Sequence, residues 1–168
     1  MKTVLWDDIF QSLRLTGEGT RKFIHGQTSS DILNAKKNVP IITCWLTTTG
    51  KVRSILEVIL DDNGADICSF SGDIQFLYEG FNKVIFPFDK VEINSINKIR
   101  RIQIMNYETS WKESKVIWLD TKSRLPQEFK NIETANFEQL KVWRILQGLP
   151  ILNEELDADY NPLELGLY

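Results

Sequence analysis

The sequence predicts an α+β protein in which antiparallel sheets carry helices on one face. Two observations predict it: strand-like runs are followed by a helix and then by more strands, and the turns between strands carry hairpin chemistry. Neither suits the regular strand-helix alternation of a doubly wound parallel sheet.

Leu13 and Leu15 alternate with polar Ser12, Arg14 and Thr16, the period of a half-buried strand, and Gly17 stops it. TRKFIHG, residues 20–26, then reads as a short helix. Two apolar runs, IITCWLTTT and VRSILEVILDD, flank Gly50, and Asn63-Gly64 joins the second to ADICSF with the chemistry of a tight primed turn, giving a three-stranded meander. Ser71 or Asp73 is placed to cap a helix through DIQFLYEGFNKVIF, in which Phe76, Leu77, Phe81 and Val84 recur at helical spacing and Pro87 is the stop.

KVEINSI, IRRIQIMNYE and SKVIWLD read as three further strands, and TKSRLPQEFKNIET as polar loop. Asn136 with Gln139 forms the pattern of a capping box for a helix through FEQLKVWRILQ, with Phe137, Leu140 and Trp143 or Arg144 along one side; Gly148 followed by Pro150 ends it. ILNEELDADYNPLELGLY reads as an acidic connecting segment. The expected organisation is one domain, residues 1–168, with lobes at 1–95 and 96–150 followed by the segment 151–168.

Composition narrows the function classes. A net charge of −3 offers phosphate backbones no global attraction, so direct nucleic-acid binding is not expected. Two cysteines, Cys44 and Cys68, sit in apolar surroundings without CxxC spacing and read as buried, reduced thiols; with a single histidine, no metal site is expected. The N-terminal MKTVLWDDIF carries acids where a secretory signal needs an apolar run, and no stretch approaches the roughly 18 apolar residues of a membrane span, so a cytoplasmic protein is expected.

Several residues invite a chemical reading. Gly17-Glu18-Gly19 follows a strand and opens a helix, but Lys22 stands where a dinucleotide fingerprint needs its third glycine, which leaves turn chemistry. His25 and Asp31 suggest an acid/base pair, yet no nucleophile accompanies them, and His25 is read as complementing a helix C-terminus. The acidic pairs Asp61-Asp62, Glu154-Glu155 and Asp157-Asp159 match no calcium loop and read as solvated turns. Trp143 combines a stacking face with the polar neighbours Arg144 and Gln147.

LRLTGEGTRKFIHGQTSSDI, residues 13–32, resembles the opening of the YgfZ-type folate-binding proteins, relatives of the aminomethyltransferase (T-protein) of glycine cleavage. Three further blocks agree with that family in order and spacing: CWLTTTGKVRSILEVILDD, FLYEGFNKVIFPFDKVEI and VWRILQGLPIL. The resemblance implies a T-protein-like fold with bound tetrahydrofolate or a derivative. It implies an accessory role in iron–sulphur enzyme maintenance or tRNA modification, with folate, an iron–sulphur enzyme or a second copy of the chain as partner.

Ser54 and Ile55 stand where T-protein enzymes carry an acidic pair, so the resemblance implies no catalytic residue here; a folate-dependent aminomethyltransferase is the alternative. The residues implied to contact folate are Phe10, before the first strand, with Gln27, Asp31, Arg53, Ser54, Ser69, Trp143 and Gln147. Trp143 replaces the family aromatic that aligns with Leu140, and Leu146 replaces a pterin-binding Glu, which raises a third reading, an interaction module that has lost its folate site. The chain stops at Tyr168, short of the family's Lys-Gly-Cys-Tyr motif, and is expected to be a truncated member.

Overall fold

The computed structural model describes residues 3–151, 156 and 159–167, with Phe70 described by its backbone alone. In chain order the elements are β1 (Val4–Thr16), α1 (Thr20–Gln27), β2 (Ile41–Leu46), β3 (Val52–Leu60), β4 (Gly64–Ser71), α2 (Ile74–Asn82), β5 (Glu92–Met105), β6 (Val116–Leu119) and α3 (Phe137–Gln147), with 3-10 turns at Pro87–Asp89 and Gln127–Phe129. The strands form a six-stranded antiparallel sheet in the order β2-β3-β4-β1-β5-β6, the α+β class the sequence predicts. No helix among the described residues is long and apolar enough to cross a membrane.

The chain forms two compact units, one of residues 11–97 and 151–168, the other of residues 1–10 and 98–150. These differ from contiguous lobes at 1–95 and 96–150, because β1 and β5 each run through both units and the connecting segment returns to the first.

In the unit of residues 11–97 and 151–168, the expected meander is present. Ile41 to Cys44 pair with Val58 to Ile55, Leu56 to Leu60 with Ser69 to Ala65, and Ser12 to Thr16 with Cys68 to Gly64. Alternation along these strands puts Leu13, Leu15, Leu56, Val58, Leu60, Ala65 and Ile67 on one face, where α1 and α2 cover them with Phe23, Ile24, Ile74, Leu77 and Phe81. Asp73 caps α2, its carboxylate accepting from Gln75 N at 2.8 Å.

Pro87 is not the stop of α2. The helix closes at Asn82 when the N–H groups of Lys83, Val84 and Ile85 turn back to Glu79 and Phe81 carbonyls, and Pro87 instead opens the next 3-10 turn, where its fixed φ is pre-organised. Val84 therefore lies beyond the helix and is exposed, and Phe76, within it, keeps half its surface open. Gly17 and Gly19 are turn glycines: a Cβ would stand 2.1 Å from the Lys90 carbonyl oxygen at Gly17 and 1.7 Å from that of Asp89 at Gly19, so close backbone approach accounts for both.

In the unit of residues 1–10 and 98–150, β1 begins nine residues earlier than the Leu13 alternation signals. Leu5 N donates to Glu133 O and Ala135 N to Leu5 O, both at 2.8 Å, and these bonds fix an extended backbone that the acidic sequence does not advertise. Glu92–Met105 is one strand, so the polar stretch Asn94–Lys98 continues the ladder instead of dividing it. The segment read as polar loop supplies a core of its own: Phe129 is buried against Leu5 and Ile102, with Leu125 and Ile132 beside it. α3 has the expected capping box, Asn136 and Gln139 exchanging side-chain bonds of 2.9 Å, and Gly148 ends it in the left-handed conformation.

Cys44 and Cys68 are buried free thiols. The acidic hairpin turn is structural. Asp61 accepts from Arg14 and from the backbone N–H groups of Asn63 and Gly64, while Asp62 pairs with Lys37. Glu154, Glu155 and Asp157 lie outside the described residues.

Two predictions follow from local chemistry. Gly26 lies within α1, and a Cβ there would meet nothing within 4 Å. Gly26→Ala is therefore expected to raise stability by about 0.5–1 kcal/mol in urea unfolding, the helix-propensity difference between the two residues. The Arg14 hydrogen bond holds Asp61 below its ordinary value of 3.8, while burial pushes neighbouring Asp66 up despite Arg14. A depressed carboxylate contributes stability above its unfolded value and loses it as pH falls through the folded one. Asp61→Asn should thus cost on the order of 1 kcal/mol at pH 7, with the gap to the parent protein closing below the ordinary value of 3.8 in urea titrations across pH.

Candidate ligand-binding site

Three residues singled out in the sequence, Arg53, Ser54 and Ser69, meet at one end of the helix-covered face of β2–β4. The register explains why. Trp45 lies opposite Ser54, but the next pair is Leu46 with Val52, so Arg53 is left unpaired at a bulge. Freed from strict alternation, its guanidinium lies over the Trp45 ring at 4.8 Å from the centroid and at 5.9 Å from that of Phe76. Arg53 makes no ion pair among the described residues, whereas Arg14 and Arg100 in the same sheet are held by carboxylates.

α2 forms the lid of this corner. Phe76 lies 5.2 Å from Trp45 and Phe81 lies 5.8 Å from it, ring centre to ring centre. The helix comes this close because residue 80 is glycine: a Cβ there would stand 2.4 Å from Trp45 Cζ2. Trp45 is buried by this approach, and Phe76 keeps 51 % of its surface exposed.

Beneath the cation, Ser54 donates to the Ser71 carbonyl at 3.0 Å, which commits its proton. Ser69, 2.8 Å away, therefore donates to Ser54 Oγ. Neither hydroxyl bonds to a carboxylate or imidazole, so no base is in place to activate one as a nucleophile. The corner offers a planar cation, an exposed phenyl face and satisfied hydroxyls, a set suited to holding a flat molecule with a carboxylate.

The other nominated residues are elsewhere. Gln27, at the end of α1, lines a separate cleft of about 260 Å³. Asp31 caps a turn, accepting from Asn34 N at 3.3 Å and Asn34 Nδ2 at 2.7 Å; these bonds hold its carboxyl below the usual range. His25 occupies the last turn of α1, as its helix-terminal reading expects, and its Nδ1 stands 3.8 Å from Asp31, beyond hydrogen-bond reach.

Phe10, Trp143 and Gln147 belong to the unit of residues 1–10 and 98–150. Phe10 does not precede the first strand but lies within it, edge-on to Trp6 at 5.7 Å. Trp143 has 0 % of its surface exposed, donates its indole N–H to Asn106 O at 2.8 Å and packs edge-on to Trp6 at 6.3 Å. It is a core residue with no free face, and this corrects its reading as a ligand-stacking aromatic. The Gln147 side-chain oxygen accepts from Trp111 N at 2.9 Å, so its amide serves packing within that unit.

Trp45 and Phe76 are the site residues that sequence reasoning missed. Nothing in the run CWLTTTGKVRS marks the bulge that swings Arg53 over Trp45, and helical spacing alone does not distinguish the half-exposed Phe76 from the buried Leu77 and Phe81. Among the described residues no group of three His, Cys, Asp or Glu side chains is placed to hold a metal ion.

No protein-family model and no curated protein matches the chain. Among solved structures it is similar to the glycine cleavage system aminomethyltransferase T from Bartonella henselae, with a TM-score of 0.51 and 13 % identity over 61 % of this chain. The match spans 28 % of the length of that protein. At this identity the likeness is one of fold, and the fold of this chain is T-protein-like.

Proposed function

We propose that this chain is a folate-binding accessory protein that serves an iron–sulphur enzyme and performs no group transfer by itself. The observation that carries the folate reading is the unpaired guanidinium of Arg53 over Trp45 and Phe76, in a fold similar to an aminomethyltransferase T. A folate has two matching features. Its glutamate tail carries carboxylates that can accept two parallel N–H bonds from the Arg53 fork, and its aminobenzoyl ring is flat enough to lie on the exposed face of Phe76. Ser54 supports the accessory role, because a hydroxyl cannot hold the charge that a carboxylate in its place would hold near a reacting folate nitrogen.

The outer side of α3 favours a second reading, an interaction module. Phe137, Val142, Ile145 and Leu146 are all exposed there, more apolar surface on one helix than scattered surface residues leave. Self-association through this row is the simplest form of that reading. Light scattering would then show dimers for the parent chain and monomers for Ile145→Lys; a monomeric parent sinks it.

Calorimetric titration with tetrahydrofolate tests the folate reading. Binding is expected for the parent protein, with at least about a tenfold loss in Arg53→Ala, the weight of one charge-assisted hydrogen bond. Arg53→Lys should recover only part, since an ammonium keeps the charge and loses the fork. Absence of binding to the parent protein refutes the proposal.

A further inference from the structure

Asn63-Gly64 is the only Asn-Gly step in the sequence. It lies in the turn between β3 and β4, where Asp61 N donates to Gly64 O at 3.0 Å and Leu60 pairs with Ala65. Asparagine before glycine is a chemically labile order. The glycine nitrogen, unshielded by a side chain, loses its proton and attacks the asparagine side-chain carbonyl; a C–N bond closes a cyclic imide, and ammonia leaves. Water then opens the imide at either carbonyl, giving aspartate or an isoaspartyl link that lengthens the backbone by a carbon.

The fold cannot escape this chemistry by replacing the glycine. Gly64 has no positive φ, but a Cβ there would stand 2.0 Å from the Leu15 carbonyl oxygen on β1, the strand with which β4 pairs. Close approach of one backbone to another therefore requires glycine at this position. Asn63 itself is exposed, so water reaches it.

What the turn supplies instead is a restraint on the attacking nitrogen. Asp61 Oδ1 accepts from Gly64 N at 2.8 Å and from Asn63 N at 2.7 Å. On the other side of the same peptide, Gly17 N donates to Asn63 O at 3.4 Å. Turning the Gly64 nitrogen toward the Asn63 side chain breaks these bonds, and removing its proton sets a negative charge against a carboxylate. Arg14 fixes that carboxylate, reaching Asp61 Oδ2 at 2.7 Å and Oδ1 at 3.0 Å. The same guanidinium holds the Asp61 carboxyl below its ordinary value, which makes it a poor base for the proton.

We propose that Asn63 is a site of spontaneous deamidation and that Asp61, by holding the Gly64 N–H, is the brake on it in the folded chain. Once the brake fails, the product works against the turn. The new carboxylate joins Asp61, Asp62 and Asp66, while Arg14 already serves Asp61 and Asp66 and Lys37 serves Asp62. The inference uses no ligand and stands apart from the folate reading.

Peptide mass spectrometry of the full chain, aged in mildly alkaline buffer, tests the proposal by following conversion of Asn63 to the acid. The folded parent is expected to react at least about tenfold more slowly than the parent unfolded in urea, the weight of one charge-assisted hydrogen bond. Asp61→Ala should lose most of that protection. Asp66→Ala, which removes another Arg14 partner in the same hairpin and leaves the Gly64 N–H held, should keep it. Amide exchange at Gly64 needs no variant and should be slowed in the parent. Equal rates in folded and unfolded parent overturn the proposal, as does unprotected exchange at Gly64. So does an Asp61→Ala chain that reacts no faster, which would make the carboxylate idle or a base, and so does equal loss of protection in Asp66→Ala, which would assign it to the hairpin as a whole.

Discussion

The contact on which the helix-covered face of β2–β4 depends is the bare approach of Gly80 to the Trp45 ring. It lets α2 settle low on β2 and β3, burying Trp45 and bringing Phe81 between Trp45 and Phe23 in an edge-to-face series. Such pairs contribute about 0.5–1.5 kcal/mol each beyond the area they bury. The series joins Phe23 on α1 to Trp45 beneath Arg53, so the α1 side and the Arg53 corner of this unit share one apolar support.

The unit of residues 1–10 and 98–150 is built on a different principle. Its strands pack Leu5 and Ile102 against Phe129 on one side, whereas the other buries polar side chains together with Trp6 and Trp143. Arg101 is fully buried there, donating to Gln103 Oε1 at 2.9 Å and lying 5.1 Å from the Trp6 ring centre, and Gln103 in turn donates to the Trp111 carbonyl at 2.6 Å. A buried network of this kind tolerates few alternatives, since removing one member leaves its partner desolvated. Trp143 packs edge-on against the same Trp6 and donates its indole N–H to Asn106 O, which is why it faces inward.

Much of the fold was legible because its signals are local. The Asp73 cap, the Asn136–Gln139 box and the Gly148 stop each depend on a few neighbouring residues, and each stands where the sequence placed it; the β3–β4 hairpin is present too, but Gly64 opens β4 and neither Asn63 nor Gly64 has the positive φ of a primed turn. Arg53, Ser54 and Ser69 were nominated by resemblance, and the register of β2, β3 and β4 does gather them. Phe10, Trp143 and Gln147 were nominated in the same way and are taken up by a different unit.

By itself the sequence determined the alternation of strands and helices, the helix caps and the buried thiols, since these follow from residue type and short-range spacing. Tertiary structure alone decided that β1 starts at Val4, that Glu92–Met105 is one strand, that a polar loop buries Phe129, and that Arg53 lies over Trp45. Each of these depends on a partner far away in the chain or on a one-residue shift in register. Neither leaves a mark in local periodicity, because it is the pairing strand or the facing helix that selects the outcome.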